Sequence, residues 1–470
     1  MGRRPPVATR PTQGAPDHKK RWPAPRDIAY RSWRVVAQLS VFPTLRFYRW
    51  AGVFAYQSLS FRTLGGGIPL KWKLVSPSNQ HFTDFLILPL MATAQCTIAW
   101  LVLRRAWQRY SKWIVGLMAF ASLILGAIFM AGALAEFARF AGPLARTFGW
   151  RNLDRAKVVT FLWCFSSTPA VALYLLARFA ASRVSPEHQP ERRKLIVTAG
   201  KLAVAAPFVI AGYGATVGRT SFGVQEIEIP VPNLPRDLER LRIVQLSDLH
   251  LGPFLSESQL ARIIDAANEL RPDIALVTGD LISSRVDPID LALKQCARLR
   301  ADRILGCMGN HERYSRLEDY VAVHGGKRGM RFLRMEAENL RFGSADLNFG
   351  GVDYQAFRDR DHYLPGAEGL IRPGAVNILL SHNPDVFPTA ARQGWDVTLS
   401  GHTHGGQVTV EILNQTLNLA RVYTRYVSGF YQQGRASCYV TRGIGTIGIP
   451  ARIGAPPEIT LVRLVKGPSV

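Results

Sequence analysis

The chain has 470 residues and a formal net charge of +24, which leaves room for two or three domains. Residues 1–222 hold 30 Lys and Arg against 7 Asp and Glu, whereas residues 223–470 hold 28 against 27. The near-neutral second half argues against a nucleic-acid partner, and the basic first half suits anionic lipid headgroups or cytoplasmic loops.

In chain order, residues 1–80 are rich in Arg and Pro, with short aromatic patches such as Phe47-Tyr48-Arg49-Trp50 and no sustained period. They read as a largely disordered tail, and no signal-peptide pattern opens the chain. Residues 81–222 read as a membrane region with about four transmembrane helices, at 85–103, 113–135, 158–177 and 195–217. The first two carry no formal charge, while Lys201 and Pro207 weaken the fourth. About 20 apolar residues suffice to cross the hydrocarbon layer.

Arg192-Arg193-Lys194 before the fourth span either anchors it on the cytoplasmic side or resembles a twin-arginine export signal placed internally. Both versions put the C-terminal domain outside, although four spans would return the chain to the side of its basic tail. The expected location is a multi-pass protein of the bacterial inner membrane, with the catalytic domain on the periplasmic face. The five cysteines (Cys96, Cys164, Cys296, Cys307, Cys438) show no CxxC spacing and read as buried apolar residues.

Residues 223–470 change character. Glu226 to Ile229 alternates like a strand, with Pro230, Pro232 and Pro235 marking an edge or linker. Strands are predicted at 242–246, 274–278, before Gly309, at 376–380 and at 396–399, and an amphipathic helix at 258–270. Each strand runs into a polar motif: Asp248-Leu249-His250, Gly279-Asp280, Gly309-Asn310-His311-Glu312, Ser381-His382 and Gly401-His402-Thr403-His404. Open α/β folds gather their sites at such strand ends. Glycines 279, 309 and 401 suit the tight turns required there. Asp248, His250, Asp280, Asn310, His382, His402 and His404 offer carboxylate, amide and imidazole donors, a mix that suits Mn, Fe or Zn. Each motif alone is weak, and the ordered set is specific.

The segments SDLHLG, VTGDL, GNHE, LLSHNPD and SGHTHGGQV resemble the calcineurin-like metallophosphoesterases. They are most similar to a bacterial membrane-anchored branch that includes enzymes acting on UDP-diacylglucosamine. The tail TRGIGTIGIPARIGAPPEITLVRL resembles that branch too, in which it packs beside the site. The resemblance covers roughly 224–465 and implies an αββα two-sheet sandwich with two divalent metal ions. Asp248, His250 and His404 would bind one ion, Asn310, His382 and His402 the other, and Asp280 would bridge them. His311 would act on the phosphate as a catalytic residue, and Glu312 would orient His311 or its loop.

The function implied is hydrolysis of a phosphomonoester, phosphodiester or pyrophosphate bond by a metal-bridging hydroxide, on a lipid-linked or envelope substrate such as UDP-diacylglucosamine. The expected partners are a lipid bilayer and that phosphoester. Arg313, Arg316, Lys327, Arg328, Arg331 and Arg334 either form a substrate-facing cap or an ordinary solvated surface. Substrate-size discrimination is expected there and near Tyr354 to Tyr363, and His324 and His362 receive no role. A second class of function, transport or sensing with an appended regulatory phosphoesterase domain, is opposed by spans nearly devoid of ionisable residues apart from Lys201.

Overall fold

The computed structural model describes residues 95, 97–101, 104, 150–184, 189–412, 415–448 and 450–468. The 1–80 tail and the 113–135 span lie outside the described residues, as does most of the 85–103 span. The 158–177 span falls within helix α1 (Trp150–Ser182). Helix α2 (Pro190–Tyr213) continues into a π-helical turn, Gly214–Gly218. Together they make one helix of 29 residues, long and apolar enough to cross a membrane by length and composition; it is the single such helix among the described residues.

Pro207, expected to interrupt this segment, removes one backbone donor without ending the helix. α1 and α2 pack along each other, with Gly200 close against Ala177 and the Trp163 and Phe208 rings 5.8 Å apart. Gln95 donates to Ser167 Oγ (2.7 Å) and accepts from Trp163 Nε1 (2.6 Å), which satisfies polar groups inside an apolar contact.

The α/β sandwich begins at β1 (Gly223–Val231). It continues through β2 (Ile243–Leu246), α3 (Glu257–Glu269), β3 (Ile274–Thr278), α4 (Ile289–Cys296), β4 (Arg303–Cys307), α5 (Asn310–Ser315), α6 (Glu318–Gly326) and β5 (Met330–Phe332). The second half adds β6 (Glu336–Phe342), β7 (Ala345–Gly351), β8 (Val376–Leu380), α7 (Phe387–Gln393) and β9 (Val397–Ser400). A small hairpin, β10 (Thr409–Ile412) with β11 (Gln415–Asn418), precedes β12 (Gly429–Gln433), β13 (Ala436–Val440) and β14 (Glu458–Lys466).

Two six-stranded sheets result, in the orders β1-β14-β2-β3-β4-β5 and β12-β13-β9-β8-β7-β6. β2 to β5 run parallel, as do β7, β8, β9 and β13. Pro230 sits in β1, an edge strand, where a missing donor is tolerated.

Apolar side chains from the facing sheets, among them Ile243, Leu276, Leu305, Phe349, Ile378 and Leu399, form the layer between them. The outer face of the first sheet is covered by α3, α4 and α6 through residues such as Leu260, Ile264, Leu293 and Val321. Leu379, Val386, Ala390 and Trp395 cover the second. Strands buried on both faces are mostly apolar, as β2, β3, β8 and β9 are, with Gln245, Asn377 and Thr398 as buried polar residues inside them. Ser256 caps α3 with a reciprocal Gln259 bond, a capping box that fixes its start one residue before the predicted helix.

Candidate active site

The C-terminal ends of β2, β3, β4, β8 and β9 converge, and all seven expected metal-ligating residues sit in the loops that follow them. Asp248, Asp280, His382 and His404 are buried, as are His250 and Asn310. His402 and His311 are partly exposed at the opening.

Backbone bonds tie neighbouring loops within each sheet at this point, and His402 N–H to the Asp248 carboxylate and His382 Nδ1–H to Thr278 O join one sheet to the other. Asp248 N–H donates to Gly279 O (3.0 Å), His250 N–H to Asp280 O (3.0 Å) and Gly401 N–H to His382 O (3.2 Å). The Asp248 carboxylate accepts from His402 N–H (3.0 Å) and the Asp280 carboxylate from His311 N–H (2.9 Å). Five of the seven residues, Asp248, His250, Asp280, His402 and His404, adopt left-handed φ between 47° and 74°. Such backbone is costly for non-glycine residues and persists where the surroundings over-determine it. Gly279 (φ 89°) shows how tight the convergence is, since a Cβ there would lie 2.7 Å from Gly309 N and 2.8 Å from His382 Nδ1.

Three overlapping groups of donor atoms lie within 4.8 Å of one another: Asp248–His250–His404, His250–Asp280–His311 and Asp280–His382–His402. His250 Nε2 and His404 Nε2 are 3.1 Å apart, and His404 Nε2 is 3.3 Å from Asp248 Oδ1. His382 Nε2 lies 3.0 Å from Asp280 Oδ2 without hydrogen-bond geometry, and Asn310 Oδ1 is buried with no partner. Buried carboxylates and lone pairs aimed at one another require cations between them. This donor set fits two divalent metal ions, and its nitrogen and oxygen character suits Mn, Fe or Zn.

Several rings have fixed tautomers, because a carbonyl oxygen only accepts. Nδ1–H of His382 donates to Thr278 O (2.7 Å) and Nδ1–H of His311 to Ser283 O (2.6 Å), so each turns Nε2 away from its carbonyl. Burial pushes His250 and His402 down to about 3 and holds His404 well below its ordinary value, leaving neutral rings. Burial also opposes charge on His382, but Asp280 and Asp248 outweigh it and push the ring up to about 10. Burial would raise Asp280 as well, yet His382 and His311 hold its carboxyl well below the usual range.

Glu312 is fully buried and accepts from three backbone donors: Asp280 N–H (2.9 Å), Leu281 N–H (2.8 Å) and Gly309 N–H (2.9 Å). Its side chain clamps the two loops that carry Asp280 and Asn310.

The family model of calcineurin-like phosphoesterases matches residues 241–406, the stretch that contains every residue of this cluster. Over that stretch the chain is similar to the calcineurin-like phosphoesterases. A transmembrane protein with metallophosphoesterase domain from Danio rerio is 34% identical over 298 residues, covering 56% of this chain and 62% of that protein. A metallophosphoesterase from Campylobacter jejuni is 31% identical over 248 residues, covering 51% of this chain and 63% of that protein. A phosphodiesterase from Escherichia coli is 27% identical over 241 residues, covering 48% of this chain and 82% of that protein. This chain thus spans less than two thirds of the first two.

Of the six basic residues expected as a cap or a solvated surface, Arg328, Arg331 and Arg334 face carboxylates. Arg328 reaches Asp290 (3.3 Å), Arg331 reaches Glu336 and Glu338 (3.2 and 2.9 Å), and Arg334 pairs with Asp353 (2.8 Å) and Asp319. Arg313 donates to Tyr354 O. His324 stacks on Tyr320, with ring centroids 3.7 Å apart.

Sequence reasoning gave no role to Ser283, marked Tyr354 only as the start of a stretch expected to set substrate size, and placed Arg452 only within the tail expected beside the site. Ser283 O holds His311, and Ser283 Oγ lies 3.1 Å from His250 Nδ1. The buried Tyr354 hydroxyl lies 3.5 Å from His402 Nε2, and its ring stands edge-on to the exposed Tyr314. Arg452 had a readable signal, being the one charged side chain in the otherwise uncharged stretch 443–457.

Proposed function

We propose that this protein is a membrane-anchored, dinuclear metal-dependent phosphohydrolase. The observation that carries the reading is the pair of buried donor groups, Asp248–His250–His404 and Asp280–His382–His402, set side by side at converging strand ends. Asp248, His250 and His404 would hold one cation, Asn310, His382 and His402 the other, and Asp280 would touch both. Two cations bound there supply positive charge for phosphoryl oxygens and acidify water enough for it to ionise near neutral pH.

The chain's own residues do the rest. Thr278 O holds the His382 ring, and Glu312 holds the loops of Asp280 and Asn310. His311 is partly exposed at the opening, its Nδ1–H tied to Ser283 O. This leaves Nε2 free, and when the ring carries a second proton there, Nε2–H can donate to a phosphoryl oxygen or pass that proton to the leaving oxygen.

A lipid-linked substrate, UDP-diacylglucosamine or a related phosphoester, is the finer reading. It is supported by the 29-residue apolar helix, whose C-terminal turn touches the loop beside His404, so that a helix of membrane-crossing character ends next to the candidate site. The naming of relatives as transmembrane proteins supports it too. A bacterial inner-membrane location with the site on the periplasmic face is a separate part of the proposal, supported by Arg192-Arg193-Lys194 ahead of the apolar helix. It is checked by a C-terminal reporter active on only one side of the membrane.

Purified full-length protein loaded with Mn²⁺ is assayed on bis(p-nitrophenyl) phosphate, on UDP-diacylglucosamine and on radiolabelled total lipid extract. Release of p-nitrophenol that falls by about 100-fold or more in His311→Ala is expected. Wild-type hydrolysis by His311→Ala would show the assignment to be wrong. Hydrolysis of the diester with no product from any lipid would remove the lipid substrate and keep the phosphohydrolase.

A further inference from the structure

The loop from β13 to β14 threads between the candidate metal centre and the end of the long apolar helix. On one side, Ile444 N–H donates to Ser247 O (3.0 Å) and Gly445 N–H to Asp248 O (2.7 Å). On the other, Arg452 N–H donates to Gly214 O (3.1 Å) in the π-helical turn.

The helix end is built for this contact. A Cβ at Gly214 would lie 2.7 Å from Ile453 Cγ1, and a Cβ at Gly218 would collide with the Arg452 carbonyl. Arg219, the next residue, donates from Nη1 to Phe254 O, in the loop that follows Asp248 and His250. The helix end therefore bonds to both loops that flank one half of the donor cluster.

Arg452 itself is 1% exposed. Nε donates to Gly445 O (3.0 Å), Nη2 to the same oxygen (2.5 Å) and Nη1 to Ala455 O (3.1 Å). The remaining reach is to His404, with Nη1 3.4 Å from its carbonyl oxygen and Nη2 3.3 Å from its Nδ1. Among the described residues no carboxylate lies within ion-pair distance of this guanidinium. A buried cation with no counter-charge is expensive unless its geometry is used. A planar fork that donates to three carbonyl oxygens, that of His404 among them, uses shape that Lys lacks; His404 Nδ1 is only a packing contact, since a ring that ligates through Nε2 keeps its proton on Nδ1.

We propose that Arg452 is a positioning residue for His404, held in register by the helix end Gly214–Arg219. Seating of the apolar helix and the geometry of the Asp248–His250–His404 half-site then form one unit. The proposal rests on the dinuclear reading above. Its content is an asymmetry: disturbing the helix contact weakens the half-site of His404 and spares the one of His382 and Asn310, where Thr278 O holds the His382 ring and Glu312 holds the loop of Asn310. Groups that orient a metal-ligating His typically change affinity by about 10–100-fold when removed.

The test uses full-length protein in detergent or nanodiscs, titrated with Mn²⁺ and followed by electron paramagnetic resonance, for the wild type, Arg452→Gln, Arg452→Lys and Gly218→Val. Thermal melting of the metal-free proteins shows which variants are folded. The expected result is two ions bound by the wild type with a spin-coupled signal. In Arg452→Gln and Gly218→Val one ion binds at least about 10-fold more weakly, the other is unchanged, and the spectrum at intermediate Mn²⁺ is that of a single ion. Arg452→Lys falls between.

Folded Arg452→Gln and Gly218→Val proteins that bind both ions with wild-type affinity would overturn the proposal and leave the dinuclear reading intact. A wild type that binds no Mn²⁺ would remove that reading, and the proposal with it. Should Arg452→Gln fail to fold, Gly218→Val decides by the same titration, since it leaves every side chain of the centre in place.

Discussion

Glu312 separates architecture from chemistry at this site. Its carboxylate is fully buried and accepts three backbone N–H bonds, from Asp280, Leu281 and Gly309. Glu312→Ala removes all three and leaves three buried donors without partners. Hydrogen bonds to a charged group contribute about 1.5–3 kcal/mol each, which sets an upper bound of roughly 4.5–9 kcal/mol. Two effects reduce this. Burial and the neighbouring Asp280 push Glu312 up to about 7, so part of its own charge is already disfavoured. Water entering the space left by the side chain can also satisfy one donor.

A net loss of about 3–5 kcal/mol remains, which at roughly 2–4 °C per kcal/mol for a domain of this size lowers Tm by about 6–20 °C. Differential scanning fluorimetry of the full-length protein, with and without Mn²⁺, measures it. Glu312→Gln, which keeps one acceptor oxygen, should lose about half as much. A Glu312→Ala protein that melts within about 3 °C of wild type yet has lost hydrolysis would refute this reasoning and make Glu312 a participant in the reaction.

Other expectations follow from packing and metal linkage. Trp395 is the largest fully buried side chain, with its ring against Gly350; Trp395→Ala should cost about 3–5 kcal/mol, read as a drop in urea midpoint, and a loss under 1 kcal/mol would contradict the packing described. Removing metal with a chelator should lower Tm, since ligand at 100 times its Kd adds about 2.7 kcal/mol; an unchanged Tm between chelated and Mn²⁺-saturated protein would argue against a folded-state metal site. Cys296 is buried and its thiol is pushed up to about 12, and burial pushes Cys307 and Cys438 up as well. In a Cys96→Ser, Cys164→Ser background these thiols should react with a disulfide reagent only as the protein unfolds. Rapid labelling of the native protein would show one of them to be accessible.

How much of this was legible in the sequence depends on whether each feature is local. Ile274–Thr278 and Val376–Leu380 form strands with the predicted bounds, because a short, mostly apolar run ended by a polar turn encodes a buried parallel strand. The motif residues at those ends came together as their order suggested. β14 was not legible: it lies between β1 and β2, pairing Thr460 with Gln245 across more than 200 residues, and no local pattern encodes that. β6 carries Glu336 and Arg341 exposed and Glu338 half-buried, and resembles a loop by composition. The left-handed backbone at Asp248, His250 and His404 was equally silent, since none is a glycine and only the packed site imposes it.

The central claim is that Asp280 joins two metal ions in one reacting centre. Metal content per chain and bis(p-nitrophenyl) phosphate hydrolysis, measured together on wild type and Asp280→Asn, test it most directly. The account predicts two ions per wild-type chain, at most one tightly bound ion in Asp280→Asn, and a loss of hydrolysis of about 100-fold or more. An Asp280→Asn protein that holds two ions and hydrolyses the diester at the wild-type rate would contradict it.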